Sequence, residues 1–357
     1  MRIAHVNPDP GIAPGRRKGA AVHVEALRQA FAALGHEVVP IDAGSEDGVR
    51  SALESAQALR GLDLVYERHA LARHAAASFA ARHALPHVLE VNAPLADEEQ
   101  RFRGAALSAL DGARERRDFA AAAVVLCVSE AVAEYCRARG ARAERVCVEP
   151  NAVDPELFQP RAADDPLRAT LVPAGRIALG FHGRLRPWHR FETLVGIGSE
   201  LLRRGLPLQF LLLGEGDFGQ AWRGRWPESR VTHVPWLEHA EAARVVACFD
   251  LLPLCYAPDA SCYFSPLKLL EGMAVGAVPV VPALGDLERI VTDERDGLVY
   301  PAGDEQACAA QLERLVRQPG LRRALATAAR ARALGHTWQD VARRVLERAA
   351  REERASA

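Results

Sequence analysis

Short runs of aliphatic and β-branched residues alternate with alanine-rich stretches along the whole chain. Runs of four to six such residues are typical of buried parallel strands, and the stretches between them have the spacing of amphipathic helices. In the helix predicted over 20–34, Val22, Leu27 and Phe31 belong to one apolar face, and Gly35 ends the helix. The pattern therefore predicts a parallel α/β architecture with a helix after each strand.

Two sets of strands are separated by an irregular segment. Strands are predicted over 2–7, 37–41, 63–67, 86–91, 124–128 and 145–149, and then over 177–182, 208–213, 231–236, 251–255, 278–281 and 298–300. The segment 151–175 contains four prolines and little periodicity, which is typical of a connection between domains. We predict a Rossmann-like domain over 1–155, a linker over 156–175, a second Rossmann-like domain over 176–335, and a C-terminal helix over 336–357 that can return to the first domain.

Composition excludes several classes of protein. The 357 residues suffice for two domains, and 49% hydrophobic with 25% charged residues is typical of a globular chain. No apolar run approaches the roughly 20 residues that cross a bilayer, and the first residues lack the apolar core of a signal peptide. Seven scattered cysteines without a CxxC pair favour neither a disulfide framework nor a zinc knuckle. A net charge of −1 gives no reason to expect that the protein binds nucleic acid. We expect a cytoplasmic protein.

The most informative motif contains a serine, a proline and a lysine shortly before an acidic residue. Ser265 suits an N-cap and Pro266 the first helical position, so a helix is predicted to start here. The amides of Leu267 and Lys268 would then lack intrahelical partners, and with the helix dipole they would bind an anion such as phosphate. Glu271, one turn later, could accept hydrogen bonds from a ribose beside that phosphate. The alternative is a surface helix with an ordinary cap and a Lys–Glu pair.

This motif resembles part of the retaining nucleotide-sugar glycosyltransferases of family 4, which have the two-domain GT-B fold. Glu271 falls on the second glutamate of their E-x7-E pattern, and Tyr263 stands in place of the first. The chain is more similar to a subgroup of this family that has the sequence F-S-P-L-K-L-x-E in this region. The segments 128–130, 150–154, 276–281 and 296–299 are also similar to the family. The resemblance implies two domains facing across a cleft, with the donor bound mainly to the second domain and the acceptor to the first.

A cationic turn follows the predicted strand 177–182. It contains Arg184, Arg186 and His189. The resemblance implies that Arg184 reaches the donor diphosphate and that His189 takes the place of the family's lysine; guanidinium groups suit phosphate oxygens well. His189 would have to be protonated for this role, so donor affinity should fall above about pH 7. The alternative is a set of solvated side chains in an arginine-rich chain.

A glycine-rich turn provides the rival interpretation. Gly214, Gly216 and Gly219 spell GxGxxG after a strand, and Glu238 follows about 20 residues later, as in a dinucleotide-binding fingerprint. The segment between them contains Gly224 and proline, which disfavour a crossover helix. The family also has a glycine-rich turn here, which implies that Gly214 lies near the nucleotide.

The loop before the first helix is similar to the family's first glycine loop. That resemblance assigns Gly19, and less directly Lys18, to the donor phosphate. An unliganded basic loop is the alternative.

Polar residues also follow two strands of the first half, at the edge of the sheet where an acceptor should bind. We predict acceptor contacts from Arg68, His69, Glu90 and Asn92. Structural polar residues at strand ends are the alternative.

These observations predict a retaining, metal-independent glycosyltransferase of the hexosyl- or N-acetylhexosaminyl-transferase type. Arg184, Lys268 and Glu271 are the predicted catalytic residues, and no cofactor beyond the co-substrate is expected. The donor would be a nucleoside diphosphate sugar, with a UDP-sugar favoured, and the acceptor a hydroxyl of a glycan, a lipid-linked compound or a small molecule. The alternatives are an NAD(P)-dependent oxidoreductase that uses the glycine-rich turn and a catalytically silent GT-B partner subunit, which the departures at Tyr263 and His189 leave open.

Overall fold

The computed structural model describes residues 1–12, 19–104, 106–162, 165–258, 263 and 265–356. The chain forms two compact units. Unit 1 comprises Met1–Asn151, Tyr263–Ser265 and Trp338–Ala357, and unit 2 comprises Ala152–Cys262 and Pro266–Thr337. Each unit contains one six-stranded sheet in which every strand pair is parallel. The predicted α/β fold of two Rossmann-like domains is confirmed.

In unit 1 the strand order is β2-β1-β3-β4-β5-β6. The strands are β1 (Arg2–Val6), β2 (Glu37–Ile41), β3 (Leu64–Arg68), β4 (His87–Val91), β5 (Val124–Cys127) and β6 (Val146–Val148). The helices are α1 (Gly19–Ala33), α2 (Glu46–Arg60), α3 (Ala75–Arg82), α4 (Leu95–Arg103), α5 (Ala109–Ala121) and α6 (Glu130–Ala138). Both β3 and β4 are buried along their length, because helices cover both faces of a parallel sheet.

The C-terminal helix packs on unit 1, as predicted. It spans Trp338–Ser356 (α15 below) and lies against α1. The Arg344 guanidinium donates to both carboxylate oxygens of Glu149, which follows β6, and Arg145 donates to Glu352. A bidentate guanidinium–carboxylate pair fixes geometry as well as distance, so it sets the position of α15 on the sheet.

In unit 2 the strand order is β12-β11-β10-β7-β8-β9. The strands are β7 (Ile177–His182), β8 (Leu208–Leu213), β9 (Val231–Val234), β10 (Leu251–Pro253), β11 (Val278–Pro282) and β12 (Leu298–Tyr300). The helices are α7 (Pro166–Leu171), α8 (Phe191–Arg203), α9 (Phe218–Trp222), α10 (His239–Val246), α11 (Leu267–Ala274), α12 (Leu287–Ile290), α13 (Glu305–Arg317) and α14 (Pro319–Leu334). The carboxyl ends of β7, β8, β9 and β10 share one edge, which brings the turns after them together.

The segment 156–175, predicted as a linker, is part of unit 2. Its helix α7 begins after Asp165, which caps the first turn. Arg168 donates to the carbonyl of Cys248 at 2.6 Å and to the carboxylate of Asp250 at 2.8 Å. These contacts attach the segment to the end of α10 and the start of β10. None of the described helices is both long enough and apolar enough to cross a membrane.

Candidate active site

The start of α11 differs from the prediction in its cap. The helix begins at Leu267, and its cap residue is Pro266, which supplies no side-chain hydrogen bond. The Ser265 hydroxyl instead accepts from the backbone N–H of Asn151 at 3.0 Å, and the Asn151 amide donates to the Ser265 carbonyl at 2.5 Å. The prediction that Ser265 caps α11 is therefore wrong, because a residue distant in sequence uses its hydroxyl. The first turn still carries Lys268.

Lys268 lies against the turn that follows β7. Its Nζ is 2.9 Å from Nε2 of His189 and 4.7 Å from the centroid of the Phe181 ring. Burial lowers the pKa of Lys268 to about 7, and the nearby Glu271 only partly opposes this. The start of α11 and the turn after β7, which the sequence analysis assigned to the donor diphosphate, thus lie in contact within unit 2.

The surroundings of His189 oppose its protonation. Burial and then the charges of Lys268 and Arg186 lower the pKa of His189 to about 2. Lys268 and Arg186 thus disfavour the protonated form that the sequence analysis requires, and the role of His189 at the donor diphosphate stays a prediction. His189 also accepts from the backbone N–H of Arg186 at 3.2 Å, so it fixes the turn that carries the arginines.

Arg184 and Arg186 are both exposed on this turn. The Arg184 guanidinium pairs with the carboxylate of Glu215 at 2.6 Å. Because a guanidinium has five N–H donors, that pair leaves donors for a phosphate. Glu215 comes from the glycine-rich turn after β8, so the two turns lie side by side.

The backbone conformation and the close packing of the glycine-rich turn require a glycine at Gly214. Its φ is +131°, and a Cβ there would overlap the carbonyl of Gly183. Gly216 has a φ of +134°, and a Cβ there would overlap the Cβ of Leu185. The glycine-rich turn is thus explained by its close approach to the turn after β7. The helix that follows, α9, has five residues, and it is short for the crossover helix of a dinucleotide-binding fingerprint.

The Glu271 carboxylate is held by two histidines. Oε2 lies 2.7 Å from Nε2 of His182, and Oε1 lies 3.1 Å from Nε2 of His239. Burial opposes its ionisation, but these hydrogen bonds prevail and lower the pKa of Glu271 to about 2. Glu271 is only 8% exposed, so it is more enclosed than the sequence suggested. Its contact with a ribose stays a prediction.

In unit 1, Glu90 is the centre of a buried polar network. Its Oε1 lies 2.7 Å from Nε2 of His23 and 3.1 Å from Arg68, and its Oε2 accepts from the Tyr66 hydroxyl at 2.8 Å. Asn92 also donates to Oε1. Burial opposes ionisation, but His23, Arg68 and Asn92 hold the pKa of Glu90 well below its usual range.

Three of the four residues predicted to contact the acceptor in unit 1 are enclosed and paired within the protein, and their acceptor contacts stay predictions. Glu90 is 1% exposed and Arg68 8% exposed, and both are used within the network. The buried imidazole of His69 lies 3.2 Å from the Glu115 carboxylate. Asn92 is half-buried and stays a candidate. Gly19 is the exposed first residue of α1, while Lys18 lies outside the described residues.

A pocket of about 340 Å³ lies at the carboxyl edge of β1, β3 and β4 in unit 1. Its lining includes Asp9, Arg73 and Glu98. The Tyr263 hydroxyl donates to Glu98, and the Ser129 hydroxyl donates to the Tyr263 carbonyl at 2.5 Å. The predicted acceptor edge thus has a pocket, but different side chains line it.

Sequence reasoning missed His182 and His239, and it did not indicate that His23 pairs with Glu90. Each is recognisable only through a carboxylate that the fold brings to it. Among the described residues, no group of three or more histidine, cysteine, aspartate or glutamate side chains is placed to hold a metal ion, and metal independence stays a prediction.

Comparison with known proteins identifies two family matches. Residues 40–157 match the model described as Glycosyltransferase Family 4, and residues 198–347 match the model described as Glycosyl transferase-like. The structure aligns over its full length with sucrose-phosphate synthase from Thermosynechococcus elongatus, also covered in full, with a TM-score of 0.76 and 19% identity. The chain has the GT-B fold. The structure of HepE from Anabaena in complex with UDP aligns over 97% of this chain and 99% of the HepE chain, with a TM-score of 0.72 and 19% identity.

Curated relatives are similar over part of this GT-B chain. A D-inositol 3-phosphate glycosyltransferase from Corynebacterium urealyticum is 26% identical over 57% of the chain and 50% of its own length. A GDP-mannose-dependent alpha-mannosyltransferase from Mycobacterium tuberculosis is 27% identical over 54% of the chain and 48% of its own length. The chain thus spans about half the length of the curated relatives it matches.

Proposed function

We propose that the protein transfers a sugar from a nucleoside diphosphate sugar to an acceptor hydroxyl, with retention of anomeric configuration. The observation that carries the proposal is the contact between Lys268 of α11 and His189 of the turn after β7, since it brings Lys268 to the turn that bears Arg184 and Arg186. Two guanidinium groups and a lysine that can take up a proton lie at one sheet edge, and this combination suits a diphosphate. Both glycosyltransferase family matches support the proposal.

The proposed reaction uses these cations on the leaving group. The bond between the anomeric carbon and the β-phosphate oxygen breaks, and the acceptor oxygen forms the new bond on the same face of the sugar. The acceptor proton goes to an oxygen of the departing diphosphate, whose negative charge Arg184, Arg186 and Lys268 stabilise. Glu271 accepts hydrogen bonds from the ribose of the same nucleotide.

A UDP-sugar is the proposed donor, with GDP-mannose as the second candidate. The neighbour HepE binds UDP, and the name of the Mycobacterium tuberculosis relative specifies GDP-mannose. The sugar is a hexose or an N-acetylhexosamine. For the acceptor we propose a hydroxyl compound that binds at the sheet edge of unit 1; the names of several relatives indicate an inositol phosphate as the first compound to test.

A panel of ligands tests the proposal. Thermal unfolding is followed with UDP-, GDP-, ADP- and TDP-sugars and with NADH. We expect one nucleotide sugar to raise the melting temperature, because a ligand that binds only the folded state stabilises it. Stabilisation by NADH alone would favour the oxidoreductase instead. Incubation of the stabilising donor with candidate acceptors, followed by NMR of the product anomer, then tests transfer and its stereochemistry. If neither transfer nor donor hydrolysis occurred, the result would favour a silent subunit.

A further inference from the structure

Two imidazoles from different elements hold the carboxylate of Glu271. His182 is the last residue of β7, and His239 is the first residue of α10. Their Nε2 atoms lie 2.7 Å and 3.1 Å from the two carboxylate oxygens. An ionised carboxylate only accepts hydrogen bonds, so both Nε2 atoms must carry a hydrogen and donate it. The carboxylate is therefore fixed in one orientation.

The two histidines differ in their access to solvent. His182 is buried, with its ring 5.8 Å from that of Phe249. The side chain of His239 is 37% exposed and packs edge-on against Phe158, with the ring centroids 5.2 Å apart. His239 is therefore the partner of Glu271 that a solute can reach.

We propose that His239 is a positioning residue for the ribose of the nucleotide, acting through Glu271. This rests on the proposed function. A carboxylate offers about four lone-pair sites, and the two histidines occupy two of them. The remaining two can accept from the 2′- and 3′-hydroxyls of a ribose if the carboxylate plane is fixed. The terminal torsion of glutamate is otherwise soft, so without the His239 hydrogen bond the plane can turn away.

The test compares each nucleotide with its 2′-deoxy form. Calorimetric titration of the full chain gives Kd values for UDP and 2′-deoxy-UDP, and for GDP and 2′-deoxy-GDP. For the nucleotide that the wild type binds, we expect the ribose form to bind about tenfold or more tightly, the effect of a hydrogen bond to a charged group. In His239→Ala this preference should fall below about threefold, as it should in Glu271→Gln.

Conservative variants separate the hydrogen bond from packing. In His239→Gln the amide nitrogen can take the place of Nε2, so the ribose preference should be retained. In His239→Asn the shorter side chain does not reach Oε1, so the preference should be lost. This pair keeps the test decisive even if the alanine variant does not fold. His36→Ala, which removes a histidine from unit 1, should leave the preference unchanged.

The outcomes are distinct. If His239→Ala and His239→Asn weaken both nucleotide forms by the same factor, the histidine is merely structural and the inference is overturned while the proposed function stands. If the wild type binds none of the four nucleotides, the proposed UDP and GDP donors and the inference fall together. Loss of the ribose preference in these variants, with recovery in His239→Gln, would support the assignment. With a transfer assay, the same variants should raise the donor KM and leave kcat nearly unchanged, because the ribose is remote from the reacting bond.

Discussion

Lys268 Nζ lies 2.9 Å from Nε2 of His189, whose other ring nitrogen lies 3.2 Å from the backbone N–H of Arg186. That N–H can only donate, so Nδ1 accepts and the single hydrogen of the neutral ring is on Nε2. This hydrogen points at Nζ, and only an uncharged amine has a lone pair to accept it. The geometry agrees with a Lys268 pKa that burial lowers to about 7.

Donor binding should therefore involve a proton. A diphosphate favours the charged lysine, so we expect Lys268 to take up a proton when a nucleotide sugar binds above pH 7. Affinity should be constant below about pH 7 and should weaken above it, at up to about 1.4 kcal/mol per pH unit. Calorimetry of UDP-glucose or GDP-mannose at pH 8, in two buffers with different ionisation enthalpies, measures the uptake.

Two variants show which residue takes up the proton. In Lys268→Arg the side chain is always charged, so the pH dependence should disappear. In His189→Gln it should persist. If the dependence survived in Lys268→Arg, or vanished in His189→Gln, the proton would not belong to Lys268.

Arg184 and Glu271 should both be needed for efficient transfer. We expect Arg184→Ala to reduce kcat at least tenfold, because it loses charge at the proposed diphosphate site, and Glu271→Ala to reduce kcat/KM at least tenfold, because it loses the proposed acceptor for the ribose. Steady-state assays, with melting temperatures as the check on folding, measure this. Arg203→Ala is the matched control, since Arg203 is exposed and pairs with Glu200 on its own helix. Full activity in both site variants would show that Arg184 and Glu271 do not belong to the active site.

The strands were predictable from the sequence because their signal is local. A parallel strand buried on both faces must be a continuous apolar run, as in Leu208–Leu213, and all twelve predicted runs form strands. Capping at α11 was not predictable in the same way. Ser265 has the local preference of a cap, but Asn151, 114 residues away, takes its hydroxyl.

The cationic residues of the candidate site were predictable from the sequence, whereas its histidine contacts were not. Arg184, Arg186 and Lys268 follow from motif positions, whereas the pairing of His182 with Glu271 joins residues 89 positions apart. No sequence pattern indicates whether a histidine faces a carboxylate or a cation. The sequence therefore suggested His189 as a replacement for a lysine, while the fold places its ring 2.9 Å from Nζ of Lys268.

Gly214→Ala should disrupt the site through the backbone. A Cβ would overlap the Gly183 carbonyl, and the φ of +131° is strained for any residue with a side chain. We expect a loss of about 2 kcal/mol or more in the free energy of unfolding, with weaker donor binding, measured by denaturant titration. Gly320→Ala is the control: it lies in the first turn of α14, where a Cβ meets no atom within 4 Å. Equal stability of the two variants would contradict the packing explanation.

Glu90 should make the stability of unit 1 sensitive to acid. The pKa of Glu90 lies below its usual value in the folded state, so its contribution is present above about pH 4.5 and is lost as the pH falls below that. Glu90→Gln leaves Arg68 and His23 without their carboxylate, and loss of one partner from a buried ion pair typically costs about 3–5 kcal/mol. We therefore expect the variant to be less stable at pH 7 and to lose less stability between pH 5 and pH 3 than the wild type.

Denaturant titrations at pH 7, 5, 4 and 3 measure both effects. Glu25→Gln is the matched control, because Glu25 is an exposed glutamate of the same unit whose carboxylate accepts from Gln29 on its own helix. It should follow the wild type at every pH. If Glu90→Gln also followed the wild type between pH 5 and pH 3, another carboxylate would govern the acid response. The network around Glu90 would then stabilise unit 1 through its hydrogen bonds alone.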